Sequence, residues 1–347
     1  MSRRKKERAT SHKAVKLEEV AKYLKLAKGT VSVVLNESPA AKAIPQKTKD
    51  RIFAAANELG YRPNFFARTL VKKRTHTIGV ITEEIGDAYG GMVISGIERF
   101  LSHNKYFFIT VAHRHDPRLL ESYADILLTR GIEGIITVDT KLTKSPPVPT
   151  VAVAGHAEIK GVTSIILDHR HAAQVALQHL VDLGHREIAF IRGQPFSSDS
   201  AERWRSICEV ASELGIAIRP ALTVQMRAPE PSPVEGYKLI RELLVREKSF
   251  TAIFAYNDIS AIGAIRAVRE TEWRVPDDIS IVGFDDIRDA PYLVPSLTTV
   301  RQPLHKMGAI AAKTLVARIE NGEEFPSQIV VQPDLVIRES TARFKPR

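Results

Sequence analysis

From Thr75 onward the chain alternates short, continuously apolar runs with longer stretches of helical periodicity, and few folds accept that pattern. The apolar runs fall at 78–81, 106–112, 134–138, 151–154, 187–191, 222–226, 252–255 and 279–284. Helical spacing fills 92–101, 119–129, 172–183, 201–214, 234–246 and 260–269. A strand that is apolar at every position is covered on both faces, which means a parallel sheet between two layers of helices. The pattern occurs twice in succession, so two doubly wound α/β subdomains are expected. Ligands of such sheets bind beyond the carboxyl ends of the strands. With two subdomains facing each other, the site is a cleft between them.

The strand ends then name the candidates. Asp87 and Tyr89 follow the first strand, Arg192 and Gln194 the strand at 187–191, and Arg203 opens the next helix. Tyr256-Asn257-Asp258 and Asp285-Asp286 close two later strands. We single out Asp87, Tyr89, Arg203, Asn257 and Asp285. Planar hydrogen-bonding groups converging on a cleft suit a small polyhydroxylated ligand. Asn257-Asp258 and Asp285-Asp286 also read as helix N-caps, and capping does not exclude binding.

Residues 15–62 follow a different rule. Leu17, Val20, Ala21 and Leu24 recur at helical spacing, and after a break at 25–27 Val31, Val34 and Leu35 do the same. Helices this short are stable only when packed, and across a tight turn they form a helix-turn-helix. Ile52, Ala55, Ala56 and Leu59 mark a third helix that Gly60 ends, with Pro45 at its first position and a loop at 37–44. On the second helix Lys28, Gly29, Ser32, Val33 and Asn36 share the face opposite the apolar one. That face is small, polar and cationic at its start, as a helix entering the DNA major groove requires.

Charge is segregated in the same way. Residues 1–74 hold 19 Lys and Arg against 6 Asp and Glu, net +13, whereas residues 75–347 hold 31 against 34, net −3. A cationic unit joined to a near-neutral body marks polyanion binding. Residues 1–14 read as a basic, disordered arm, and 63–74 as a short helix and linker. Two readings stand for that last segment: a helix that would fold when docked on DNA, with Leu70 a candidate apolar wedge between bases, or a plain linker with one core-facing leucine.

Other classes are disfavoured. One cysteine, Cys208, allows no disulfide within the chain and no cysteine-rich metal site. No signal peptide and no membrane span is expected, which suggests a cytoplasmic protein and argues against a secreted solute-binding protein. The histidines are scattered; His169 and His171, or His113 and His115, make no metal site by spacing. No nucleophile elbow or phosphate-cradling loop occurs, so no catalysis, metal or cofactor is expected.

Several motifs together resemble the LacI/GalR (lactose/galactose repressor) family of bacterial transcription regulators. They are Thr30-Val31-Ser32 with Val34-Leu35-Asn36, Gly60-Tyr61-Arg62-Pro63-Asn64 with Ala67-Arg68 and Leu70, and Thr77-Ile78-Gly79-Val80. Leu183-Gly184-His185, Asn257-Asp258, the run 278–286 and Pro295-Ser296-Leu297-Thr298-Thr299-Val300 continue the match over about residues 15 to 340. The resemblance implies a three-helix DNA-binding head at 15–62, a hinge helix at 63–74 and a periplasmic-binding-protein-like core at 75–341. It implies subdomain ranges of about 75–166 with 299–325, and about 167–295 with 326–341. A chain crossing would fall near 295–299, and a helix at 307–320 would return to the first subdomain.

The resemblance further implies a homodimer or tetramer on a pseudo-palindromic double-stranded operator, repressing transcription under control of a small-molecule effector such as a sugar. Thr30, Tyr61, Asn64, Arg68 and Leu70 would join Lys28, Gly29, Ser32, Val33 and Asn36 on DNA. Arg203, Asn257 and Asp285 would hold the effector, with Tyr89 on the other wall. The chain departs from the family pattern in places. Ala27 stands where a capping Ser is usual, and Val33 where Arg is common. Ser206-Ile207 replaces a Gly-aromatic pair, Asp168-His169 an Asp-Asn pair, and Ala154-Gly155-His156 lacks a common acid.

Overall fold

The computed structural model describes residues 15–36, 38–62, 74–228 and 232–346, in two compact units divided after Thr75. The basic arm at 1–14 and most of the proposed hinge, including Asn64, Arg68 and Leu70, lie outside the described residues.

The first unit holds three helices, α1 (Leu17–Leu24), α2 (Lys28–Leu35) and α3 (Gln46–Glu58). Glu18 and Glu19 sit in the first turn of α1, where carboxylates favour the helix dipole, and Glu19 also accepts from the Lys16 amide at 2.7 Å. Lys25 stops α1 in a left-handed conformation, φ 55°. Ala27 gives α2 no side-chain cap. Pro45 lies one residue before α3, not at its first position, and the 37–44 loop contains a 3-10 turn, Pro39–Ala43. Val20, Ala21, Val31, Val34, Leu35, Ile52, Ala55 and Ala56 form the core, so the apolar spacing did name the packed face.

The second unit contains two six-stranded sheets. The first takes β1 (Thr77–Thr82), β2 (Phe107–Ala112), β3 (Gly134–Val138), β4 (Thr150–Val153), β5 (Val162–Leu167) and β11 (Gln328–Val331), in the order β11-β5-β4-β3-β1-β2. The second takes β6 (Ile188–Arg192), β7 (Thr223–Gln225), β8 (Ala252–Phe254), β9 (Ser280–Asp285), β10 (Thr298–Arg301) and β12 (Asp334–Val336), in the order β12-β10-β9-β8-β6-β7. Only the pairing of β10 with β12 is antiparallel among the described residues. The helices are α4 (Ala88–His103), α5 (Pro117–Thr129), α6 (His169–Asp182), α7 (Ser198–Glu213), α8 (Pro233–Arg246), α9 (Asp258–Arg269) and α10 (Leu304–Asn321). None of the described helices is long and apolar enough to cross a membrane.

Four strands, β5, β10, β11 and β12, escaped the apolar-run criterion, and the first two carry polar residues with tertiary partners. In β5, Thr163 donates to the Pro326 carbonyl at 2.9 Å and accepts from Arg318 at 2.8 Å. In β10, Thr299 donates to Asp258 at 2.6 Å. These strands also correct the subdomain ranges. β10 pairs with β9 and belongs to the second sheet, whereas β11 pairs with β5 and belongs to the first. The chain therefore crosses after Leu167, between Arg301 and Leu304, and between Val331 and Asp334, not near 295–299. Hydrogen-bond partnership fixes this assignment, and a local sequence pattern does not carry it.

Glycines set the closest helix contacts. A Cβ at Gly96 of α4 would lie 2.1 Å from the His305 carbonyl oxygen, and one at Gly308 of α10 would lie 2.0 Å from that of Val93. The obstacle is backbone, so a methyl group there forces the helices apart. Gly308→Ala is expected to destabilise the core by about 1–3 kcal/mol, read as a lower midpoint in urea unfolding with an unchanged slope.

Candidate DNA-binding and ligand-binding sites

On α2 the core takes Val31, Val34 and Leu35. Lys28 and Gly29 are exposed and Thr30, Ser32, Val33 and Asn36 half-buried. The Asn36 amide donates to the Ser32 hydroxyl at 3.1 Å, which orders the middle of that face. Lys28 pairs with Glu18 of α1 at 2.6 Å, with both side chains more than half exposed. An exposed pair of this kind is worth little and exchanges readily for a phosphate. Tyr61 packs half-buried against the three-helix core, its amide bonded to Ala56 at 2.8 Å, so it closes the unit after α3.

In the second unit, β-strand ends and helix starts of both subdomains enclose a cavity of about 60 Å³. Asp87, Tyr89, Arg203, Asn257 and Asp285 all line it. Asp87 caps α4, accepting from the Gly90 amide at 3.0 Å, and Asn257 caps α9 in a reciprocal box with Ser260. Asp285 caps no α-helix; only a 3-10 turn, Ala290–Tyr292, follows. It accepts instead from Gln302 at 2.7 Å, while Asp286 binds Arg301 at 2.6 Å and Arg338 at 2.7 Å. Arg192 stacks on Trp204, 4.6 Å from the ring centre, and is not among the lining residues.

The backbone is forced at this rim. Asp139 and Asp285, at the ends of β3 and β9, have positive φ, 44° and 113°, as does His115, 60°, in the loop after β2. Non-glycine residues in that region carry strain, which is concentrated where side chains are re-aimed for function.

Arg203 is the electrostatic centre. Its guanidinium donates to Asp199 and, at 2.6 Å, to the Tyr256 carbonyl, and it lies 3.7 Å from the Phe284 ring centre and 4.6 Å from that of Tyr256. Burial alone would raise the Asp199 carboxyl, but His169 and Arg203 hold it well below its usual range. Asp285 goes the other way: burial raises it well above that range despite Arg203. Glu83 and Asp139 share a hydrogen bond, and burial pushes them up to about 9 and about 7, the Asp139 charge adding to the rise of Glu83. Nδ1 of His115 lies 2.5 Å from the Glu83 carboxyl. The Tyr89 hydroxyl is buried with no hydrogen-bond partner among the described residues.

Comparison with known proteins identifies the family. Residues 16–64 match the model for bacterial regulatory proteins of the lacI family, and residues 177–341 the periplasmic-binding-protein-like domain. The PurR transcriptional repressor of Klebsiella pneumoniae is 30% identical over 335 residues, covering 94% of this chain and 96% of the relative. The chain belongs to the LacI family.

Another relative, the ribose operon repressor of Haemophilus influenzae, is 28% identical over 337 residues, covering 95% of this chain and 99% of the relative. Among solved structures, the Lac repressor dimer bound to operator and the anti-inducer ONPF superposes with a TM-score of 0.84 at 26% identity, covering 95% of this chain and 100% of that one.

The strand-end argument thus brought five residues to one cavity in this LacI-family chain. It missed Glu83, His115, Asp139 and Asp199. Glu83 and Asp139 directly follow strands and were open to the same argument; Asp199 sits in the first turn of a helix and gave no such signal.

Glu83 and Asp139 hold protons more tightly in the folded chain than at their ordinary values of 4.5 and 3.8. The stability this contributes is complete below those ordinary values and lost as pH rises through the folded ones. The ligand-free protein should therefore lose thermal stability between about pH 6 and 9, and Glu83→Gln should flatten that slope. An unchanged slope in the variant would contradict the assignment.

Proposed function

We propose that this LacI-family protein is a transcriptional repressor that binds a pseudo-palindromic operator as a dimer and responds to a small neutral polyol, such as a sugar. The observation that carries the proposal is the union in one chain of a basic unit displaying a polar helix face and a two-sheet core enclosing a polar cavity. The proposed DNA contacts are Lys28, Gly29, Thr30, Ser32, Val33 and Asn36, with Tyr61, Asn64, Arg68 and Leu70 toward the hinge. Val33 offers methyl groups to a thymine and no hydrogen bond to a guanine. Asp87, Tyr89, Arg203, Asn257 and Asp285 are proposed to hold the effector.

The charge of the cavity limits the effector. Glu83, Glu84, Asp87, Asp139, Asp199 and Asp285 line it against one guanidinium, Arg203, which Asp199 already neutralises. An anionic ligand would add to that crowding; hydroxyl groups can donate to the carboxylates and meet the unpaired Tyr89 hydroxyl. The cavity of about 60 Å³ is small beside the roughly 300 Å³ of a usual ligand site. Ligand entry therefore has to part the subdomains, and that movement is the proposed link to DNA affinity.

Selection from random double-stranded DNA with the full-length protein should enrich one symmetric site, bound with an affinity that falls steeply with salt. Absence of any sequence preference across the salt titration would sink the repressor reading. In a thermal-shift screen, neutral sugars should outperform their phosphate esters. Arg203→Ala should abolish the sugar response while operator binding by the ligand-free protein persists.

A further inference from the structure

The loop after β4, the start of α6 and the first turn of α7 bring together His156, His169 and Asp199. Nε2 of His156 lies 3.0 Å from Asp199 Oδ1, and Nε2 of His169 lies 2.9 Å from the same oxygen. One donor atom from each residue lies within 4.8 Å of the others. His169 and Asp199 are buried, and the His156 side chain is 15% exposed. Thirteen residues separate the histidines and thirty more precede the aspartate, so no spacing rule found them. Pairing His169 with His171 pointed elsewhere: the His171 amide donates to Asp168, and its side chain is outside this cluster.

We propose that His156, His169 and Asp199 bind a single first-row divalent cation, with zinc the best match to two imidazoles and one carboxylate. Metal–ligand bonds of about 2.0–2.1 Å at the tetrahedral angle place ligand atoms roughly 3.3 Å apart. The two histidine–aspartate distances need to open by only a few tenths of an ångström. A fourth position is left for water or a ligand hydroxyl. Asp199 Oδ1 serves the cation while its other oxygen keeps Arg203.

The Asp199 carboxylate, whose Oδ1 faces both imidazoles, supplies the negative charge of the site. A negatively charged ligand lowers the cost of a buried dication. Loading needs neutral imidazoles, so it competes with protons. His156 belongs to the first subdomain and Asp199 to the second, so a bound ion ties the two walls together. The inference does not depend on which effector the cavity takes.

The competing arrangement is a metal-free hub in which both imidazoles donate to Asp199. Titration calorimetry on full-length protein stripped with a chelator separates the two. Zinc should bind with one equivalent per chain at neutral pH, and cobalt should give the visible absorption of a tetrahedral site. His156→Gln and His169→Gln should each weaken zinc binding by at least roughly tenfold, and His171→Gln should leave it unchanged. If His169→Gln does not fold, the partly exposed His156→Gln carries the comparison. No zinc binding, or binding of equal strength in His156→Gln, overturns the proposal.

Discussion

A guanidinium almost fully withdrawn from water is tolerated only where its charge and donors are matched. Arg203, 3% exposed, is matched by Asp199, the Tyr256 carbonyl and two aromatic faces. Removing one partner from such a buried pair costs roughly 3–5 kcal/mol, because the other charge is left unpaired. The surroundings follow from this requirement. Asp199 stays ionised beside Arg203, whereas burial pushes the other carboxyls of the cavity upward, as at Glu83, Asp139 and Asp285, with the Asp199 charge adding to the rise of Asp139. The cavity is therefore a proton-holding site with one fixed ion pair at its centre.

The backbone supports that chemistry by aiming helix starts at it. α4, α7 and α9 all begin at the cavity, and their caps, Asp87, Ser197 and Asn257, line it. Capping satisfies amide groups that would otherwise be unpaired, and it fixes those side chains at the rim. Behind the rim, Asp258 is fully buried and accepts from Thr299 at 2.6 Å and from the Ile287 amide at 2.9 Å. It locks the start of α9 to the turn after β9 and to β10, the strand before the second crossing. Among the described residues of the first unit, eight small and branched apolar residues form the buried core, which leaves the outer face of α2 free of packing demands.

The sequence by itself determined what depends on neighbours along the chain. Apolar periodicity fixed the three helices of the first unit and most strands of the second, since burial on one or both faces leaves a local imprint. Charge segregation was a matter of counting. The strand-end rule picked out Asp87, Tyr89, Arg203, Asn257 and Asp285, which line one cavity, because parallel sheets point their strand ends and following helix starts to one side.

Only the tertiary structure decided which partners met across the chain. β5 and β10 read poorly because Thr163 and Thr299 find hydrogen bonds far away in sequence. The same distance hid the true crossings, since β11 is claimed by β5 and β10 by β9 through backbone bonds. His156 and His169 looked like scattered histidines until the fold carried Asp199 to both. Hydrogen bonds and buried charges between distant segments leave no periodic trace, whereas burial of a helix or strand face does.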